Sequence, residues 1–233
     1  MTAIYADDTC IMTKHKDPRI AINTLQQHIN TLESWFSQWN LKINTSKSVA
    51  MYFARGRRSF VNRVNLKLLG QDLPWASSTP YLGVTLDTTF TWKPHTELIR
   101  IKAKNRIKTL YPLLCRNSEL SIDNKLLLYK SMIRSLISYA APIWAVAAKT
   151  NFGRLETVQK ILLREMTGAY WFYRNPQIRK NAKITTLKEY FVKLAKKFFA
   201  NLNQVPNLYI SNLPSYDATL RVNKKRPRAM LLG

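Results

Sequence analysis

The sequence has few acidic residues, few cysteines and no long apolar run. It contains 13 Asp and Glu residues against 37 Lys and Arg residues in 233 positions, which gives a formal net charge of +24. Such a charge repels itself unless a polyanion neutralises it, so a nucleic acid is the first candidate partner and an anionic membrane surface the second. Ribosomal and histone-like packing proteins share this bias, and charge alone therefore defines no function.

The scarcity of cysteine excludes a disulfide framework. Cys10 and Cys115 are the two cysteines, and neither lies in a paired metal-ligand spacing. We therefore expect no disulfide partner and an intracellular location, in the nucleus or the cytoplasm. The apolar and uncharged run over residues 135–148 is too short to cross a bilayer, so we expect no membrane partner.

The N-terminal part combines strand and helix signals. Residues 4–5 and 10–12 predict two short strands joined by a tight turn at Asp7-Asp8. Asp17 followed by Pro18 is a typical helix start. Apolar residues then recur at three- and four-residue intervals, which predicts an amphipathic helix of about six turns. The residues of this face are Ile22, Leu25, Ile29, Leu32, Phe36 and Trp39.

Beyond this helix, alternating apolar residues predict further strands. Residues 49–53 and 81–87 each read as a strand, with Gly83 in the second where a backbone can approach closely. Residues 64–75 predict a hairpin around Gly70, and residues 55–58 form a basic loop. From residue 93 the apolar period becomes helical. Helices are predicted over 95–114, from Ser121 to Pro142, over 152–167 before Gly168, and over 187–202, with a basic stretch at 221–228.

The turn Tyr5-Ala6-Asp7-Asp8 is the strongest candidate for chemistry. Two carboxylates at the tip of a hairpin can hold a divalent cation, because hard oxygen ligands suit magnesium. In phosphoryl transfer such a site aligns the attacking hydroxyl and neutralises charge on the transferring phosphate. The alternative is a hydrophilic turn, since Asp is common in turns.

The order of several segments resembles the reverse transcriptases of non-long-terminal-repeat retrotransposons, in particular the jockey-like group of insect elements. Tyr5-Ala6-Asp7-Asp8-Thr9 resembles their polymerase signature, and the later segments follow in the family's order. Residues 41–48 are similar to the segment after the palm helix, and residues 81–87 are similar to the primer-grip hairpin. Three later segments are similar to the region beyond the thumb, namely 138–144, 155–160 and 163–169.

The resemblance implies an α+β fold. Residues 1–92 would be the C-terminal part of a reverse-transcriptase palm, a small antiparallel sheet plus a helix. Residues 93–150 would form a helical thumb, and residues 151–233 a helical extension with a basic tail. The implied activity is RNA-directed DNA polymerisation, with Mg²⁺, deoxynucleotides, an RNA template and a DNA primer in the complete enzyme.

The same resemblance implies roles for single residues. Asp7 would be the metal ligand and Asp8 its less directly ligating neighbour, so that both are catalytic. Tyr5 would lie near the primer terminus and the incoming nucleotide, and Lys47 near the triphosphate. Gly83 would let the backbone approach the primer. A solvated lysine and an ordinary strand glycine are the simpler interpretations of the last two.

The predicted helix 95–114 would be the thumb helix on the template-primer duplex. Its basic residues lie on more than one side of the apolar stripe, so some of them only solvate the helix. As a set they favour phosphate contact, because neutralising several phosphates is additive. They are Arg100, Lys102, Lys104, Arg106 and Lys108.

The resemblance also implies parts that this sequence does not contain. The family needs another aspartate on a separate palm strand upstream of the signature, and fingers that hold the nucleotide and template. Because the signature begins at residue 5, we expect a partial chain that does not extend a primer alone. The alternative function is a non-catalytic basic nucleic-acid-binding protein derived from a retrotransposon.

Overall fold

The structure is a computed structural model that describes residues 1–53, 64–207, 210 and 226–232. The chain divides into two units, Met1–Thr89 and Phe90–Gly233. The first contains hairpins and a long helix and the second contains helices, so the α+β class is confirmed. Among the described residues, no helix is both long enough and apolar enough to span a membrane.

In the part of the first unit that the structure describes, residues 1–53 and 64–89, the strands form three antiparallel hairpins. They are β1 (Thr2–Tyr5) with β2 (Asp8–Ile11), β3 (Lys67–Leu68) with β4 (Gln71–Asp72), and β5 (Ser78–Tyr81) with β6 (Val84–Asp87). The first two were predicted. The single strand predicted over 81–87 is wrong, because Leu82 and Gly83 have φ values of 47° and 78° and form a two-residue turn. Positive φ at both central residues is typical of tight hairpin turns.

The long helix α1 (Pro18–Gln38) forms as predicted. The Asp17 carboxylate accepts a hydrogen bond from the Arg19 backbone N–H at 2.8 Å, which satisfies an otherwise unpaired donor of the first turn. Its buried residues, Ile22 and Ile29, pack in a small core with Ala50, Leu66 and Leu73. The predicted apolar face extends beyond this core, and Trp39 is 63% exposed.

The strand predicted over 49–53 is wrong. One residue there makes a bridge: the Ala50 N–H donates to Pro74 O at 2.9 Å and Ala76 N–H donates to Ala50 O at 2.8 Å. The buried residue is therefore the small alanine, whereas Val49 and Phe53 are exposed. The apolar alternation was real, but burial follows the opposite phase. The basic loop predicted over 55–58 lies outside the described residues.

Helices make up the second unit. They are α2 (Lys93–Leu114), α3 (Ile122–Leu128), a π-helical segment (Tyr129–Arg134) that continues into α4 (Ser135–Ser138), α5 (Ala141–Trp144), α6 (Lys149–Thr167), α7 (Asn175–Asn181), α8 (Leu187–Asn201) and two short 3₁₀ helices, Leu202–Gln204 and Pro227–Leu232. Helices are present in all four predicted ranges, but the second ends at Ser138, and Pro142 belongs to the separate helix α5 after Ala140 at φ 50°. Helix α7 was not predicted. Gly168 follows α6 with φ 59°, the left-handed position that favours glycine.

Large aromatic residues and one buried polar pair fill the core of this unit. The Phe191 ring packs edge-to-face against Trp144 at 5.3 Å and against Phe152 at 5.4 Å. Gln159 is buried, and its amide donates to the Tyr129 hydroxyl at 2.8 Å, so the polar groups are paired as burial requires. Burial raises the pKa of Tyr129 to about 12.

A buried lysine fixes the end of α2. Lys125 is 4% exposed, and its ammonium donates to the carbonyls of Cys115, Ser118 and Arg116 at 2.7, 3.3 and 3.5 Å. A cation at a helix C-terminus satisfies carbonyls that lack helical partners and interacts favourably with the helix dipole. The direction in which the chain leaves α2 is therefore set by one side chain of α3.

Candidate metal site and nucleic-acid interface

The first hairpin exposes both carboxylates of the predicted metal site. Tyr5 and Asp8 are paired across β1 and β2, and Ala6 and Asp7 form the turn between them. Ala6 has φ 51°, a left-handed conformation that a residue with a Cβ adopts at some cost. Tyr5, Asp7 and Asp8 are all exposed. The three residues therefore lie at one end of the hairpin and are accessible there.

The two carboxylates of this hairpin are the kind of ligand that a divalent cation binds, but two are too few to complete its coordination. Carboxylate oxygens are hard ligands, and Mg²⁺ prefers six oxygens in octahedral geometry, several of them from water or phosphate. Within residues 1–53, 64–207, 210 and 226–232, no group of three or more His, Cys, Asp or Glu side chains could hold a metal ion. Asp7 and Asp8 could therefore supply two of the ligands of such a cation, and the others would have to come from further groups.

Tyr81, at the end of β5, is electrostatically coupled to the first hairpin. Burial raises the pKa of Tyr81, and negative charge on Cys10 and Asp8 raises this pKa further. The phenol and the Asp8 carboxylate are therefore close enough to interact. Because Tyr81 directly precedes the turn at Leu82 and Gly83, the third hairpin begins its turn on the side of Asp8.

Lys47 lies in a separate turn of the first unit. It ends a short 3₁₀ helix, Thr45–Lys47, and its N–H donates to Asn44 O at 3.3 Å. The Ser46 hydroxyl donates to the Asn44 side chain at 2.6 Å, so Asn44 helps to shape this turn. The Thr45 hydroxyl donates to Gln71 of β4 at 2.6 Å, so the turn is attached to the second hairpin. The Lys47 side chain is exposed.

The basic residues of α2 form two rows on opposite sides of its buried stripe. Ile99 and Ala103 are buried, and residues four apart lie on the same face of a helix. The 100/104/108 row therefore flanks the stripe on one side, and the 102/106 row flanks it on the other. Both residues of the 102/106 row are exposed.

Acidic side chains lie close to the 100/104/108 row. A groove of 530 Å³ between α2 and α6 is lined by Arg100, Arg154 and Glu165, among others. The Arg100 guanidinium donates to both Glu97 oxygens, at distances from 2.6 to 3.1 Å, and this bonding lowers the pKa of Glu97. Arg154 also lies 3.7 Å from Glu97. Part of the positive charge on this side is thus balanced within the protein.

Four consecutive aromatic residues, Tyr170 to Tyr173, are a feature that the sequence interpretation missed. All four are exposed. The signal was available, because neither a helical nor a strand period can bury four consecutive side chains on one face. They follow α6 directly and precede α7.

Residues 1–86 match the family model described as reverse transcriptase (RNA-dependent DNA polymerase). The matched segment includes the first hairpin, the Lys47 turn and Gly83.

Curated relatives extend the similarity beyond this segment. The chain is 28% identical over 235 residues to the probable RNA-directed DNA polymerase from transposon X-element of Drosophila melanogaster. This alignment covers 99% of the chain and 25% of the relative. It is 28% identical over 207 residues to the RNA-directed DNA polymerase from mobile element jockey of the same organism, covering 89% of the chain and 22% of the relative. The corresponding protein from transposon BS is 27% identical over 204 residues, covering 88% and 22%.

The chain therefore spans about a quarter of the length of the curated relatives it matches. No solved structure matches it. The resemblance to reverse transcriptases of jockey-like non-long-terminal-repeat retrotransposons is confirmed by the family match and by these relatives.

Proposed function

We propose that this chain is part of an RNA-directed DNA polymerase of a non-long-terminal-repeat retrotransposon, with Asp7 and Asp8 as catalytic ligands of Mg²⁺. The observation that carries the proposal is the exposed hairpin tip bearing both carboxylates inside the segment that matches the family. When bound, magnesium supplies charge neutralisation on the transferring phosphate and orients it for attack by the primer hydroxyl. The carboxylates would hold the cation, Asp7 from the turn and Asp8 from the start of β2.

The neighbouring residues have proposed positioning roles. Tyr5, opposite Asp8 in the hairpin, would lie beside the primer terminus and the incoming deoxynucleotide. Lys47, exposed on its short turn, would bind the triphosphate and assist the departure of pyrophosphate. Gly83 would let the backbone of the third hairpin approach the primer, because a glycine at φ 78° presents no Cβ.

The units would correspond to parts of a polymerase. In this proposal residues 1–92 are the palm portion, residues 93–150 the thumb and residues 151–233 the extension. Helix α2 would contact the template-primer duplex of RNA and DNA through its basic residues, since the net charge of +24 requires a polyanion to neutralise it. The two rows of α2 would contribute unequally, because carboxylates accompany one of them.

Replacing the corresponding quarter of the jockey polymerase by this chain gives a test with a complete enzyme. Asp7→Asn in that chimera should abolish primer extension and leave duplex affinity nearly unchanged, because it removes negative charge while preserving size. Asp72→Asn is the matched control, since Asp72 is an exposed aspartate of β4 in the same unit, and it should extend primers at the parent rate.

The outcome separates the two candidate functions. If the chain were only a nucleic-acid-binding protein, Asp7→Asn would change primer extension by the chimera no more than Asp72→Asn does. Extension by Asp7→Asn at near the parent rate, in a chimera that is otherwise active, would exclude this hairpin as the metal site. Titration of the chimera with Mg²⁺ and Mn²⁺ separately would identify the preferred cation.

A further inference from the structure

The turn from Tyr170 to Tyr173 presents an unusual amount of aromatic surface to solvent. We call these four residues the aromatic turn. Trp171 is 88% exposed, and Tyr170, Phe172 and Tyr173 are 56%, 58% and 45% exposed. Aromatic side chains of this size normally supply core packing, as Trp144 does in the same unit. Contiguous exposed apolar surface marks a site of interaction.

A single arginine holds the aromatic turn in shape. The Arg164 guanidinium donates to the carbonyls of Tyr170 and Tyr173, both at 2.7 Å, and to the Asn175 side chain at 3.3 Å. The N–H of Tyr173 donates to Tyr170 O at 3.1 Å and closes the turn. The rings are therefore exposed on an ordered backbone, and binding them costs little conformational entropy.

The rings also have a defined mutual geometry. Tyr170 and Phe172 are parallel, with an interplanar angle of 1° and centroids 5.7 Å apart, and the Arg116 guanidinium lies 5.5 Å from the Tyr170 centroid. Stacked bases are about 3.4 Å apart, so a base has no room between these two rings. Trp171 lies at 86° to Phe172, and its high exposure leaves ring surface available for stacking.

The charge around the aromatic turn favours an anionic partner. Residues 166–188 contain no Asp or Glu, and they contain five basic residues. Arg174 and Lys180 of this segment are exposed and lie within seven residues of the turn. Exposed aromatic rings combined with positive charge are the arrangement that binds single-stranded nucleic acid, where bases stack on rings and phosphates meet cations.

We propose that the aromatic turn is a binding site for unpaired nucleobases of single-stranded DNA or RNA. Trp171 supplies the main stacking surface, and Arg174 and Lys180 contact the flanking phosphates. The site rests on the Arg164 hydrogen bonds, the ring geometry and the local charge, and it does not depend on the carboxylates of the first hairpin. It would let the chain bind unpaired strands, separately from the duplex binding proposed for α2.

The test is fluorescence anisotropy of the full chain with labelled oligothymidine, labelled oligouridine and a duplex of equal length. Trp171→Ala should weaken single-strand binding about tenfold, whereas Trp171→Phe should retain most of the affinity. The dependence of affinity on salt should not change with Trp171→Ala, because stacking releases no counterions. Comparing the two oligonucleotides tells whether the site prefers DNA or RNA.

Two further variants separate stacking from charge. Arg174→Gln combined with Lys180→Gln should lower the slope of log affinity against log salt, by about 0.7 for each phosphate of the single strand that the variant no longer neutralises. Trp39→Ala is the matched control, since Trp39 is an exposed tryptophan of the first unit, and it should leave single-strand affinity unchanged. The thermal melting of each variant establishes that it is folded.

The proposal fails if folded Trp171→Ala binds single strands as the parent does, or if its duplex affinity falls to the same extent. It also fails if Trp171 is required for binding to anionic lipid vesicles but not to oligonucleotides, which would assign the turn to a membrane surface. Asp7→Asn should not affect these measurements, so failure of this site and failure of the proposed metal site can be told apart.

Discussion

The proposed duplex interface can be tested by neutralising the two basic rows of α2 separately and comparing the effects on binding. Lys102→Gln with Arg106→Gln removes two charges from one side of the helix, and Lys104→Gln with Lys108→Gln removes two from the other. The structure predicts unequal effects. The Arg100 guanidinium of the second side is occupied by Glu97, and Glu165 lines the groove there. A phosphate is therefore attracted less strongly to that side.

The expected magnitude follows from counterion release. Each duplex phosphate that the protein neutralises contributes about 0.9 to the slope of log affinity against log salt, so removing the 102/106 row should lower the slope by about 1.8. Between about 50 and 200 mM salt the parent's affinity should then fall by roughly tenfold more than that of this variant. The 104/108 variant should change the slope by less, because Glu97 and Glu165 lie on that side of the helix.

The assay is anisotropy of a labelled RNA–DNA duplex across a salt series, with Arg100→Gln as a single-charge reference expected to have little effect. Equal slope changes for the two double variants would refute the reasoning, because they would mean that charge acts without regard to the face that carries it. No change in either variant would remove α2 from the interface.

Two predictions concern the stability of the second unit. Lys125→Met keeps the buried aliphatic stem but removes the ammonium that binds three carbonyls. In urea unfolding, the free energy of unfolding should fall by about 2 kcal/mol. Lys130→Met, at an exposed position, is the control and should change it hardly at all. Burial, with a contribution from the Lys102 charge, lowers the pKa of His95 from 6.5 to about 4. The neutral ring therefore contributes stability that is present above pH 6.5 and falls away between pH 6.5 and about 4, by up to about 3 kcal/mol. His95→Phe should reduce this acid sensitivity in urea titrations at several pH values, and an unchanged profile would exclude His95 as its source.

Local signals explain why much of the fold could be predicted. Asp17-Pro18 defined the start of α1, Gly70 the turn of the second hairpin and Gly168 the end of α6. In each case a short sequence restricts the backbone without help from the rest of the chain. The predictions failed over 49–53 and 81–87, where an apolar alternation does not reveal which residues the tertiary structure buries or turns.

The features of the candidate site could likewise be predicted only where they depend on residues close together in the sequence. The hairpin that carries Asp7 and Asp8 is local, and the sequence predicted it. The balance of charge on α2 is partly local, because Glu97 and Arg100 are three residues apart, a spacing that brings side chains together on a helix. The hydrogen bond of Tyr111 to Glu165, at 3.3 Å, joins residues 54 positions apart and depends on how α2 packs against α6, which no periodicity reveals.

The π-helical segment at Tyr129–Arg134 bears on how this chain can vary in length. A π-helical turn holds one more residue than an α-helical turn while the helix on either side continues. Tyr129, Ile133 and Ile137 are all buried, so one face of the helix stays in the core along the π-helical segment. Related chains that lack one residue here would close the segment into ordinary α-helix and still bury both flanks. The middle of this core helix is therefore a place where the loss of one residue need not disturb the packing of either flank.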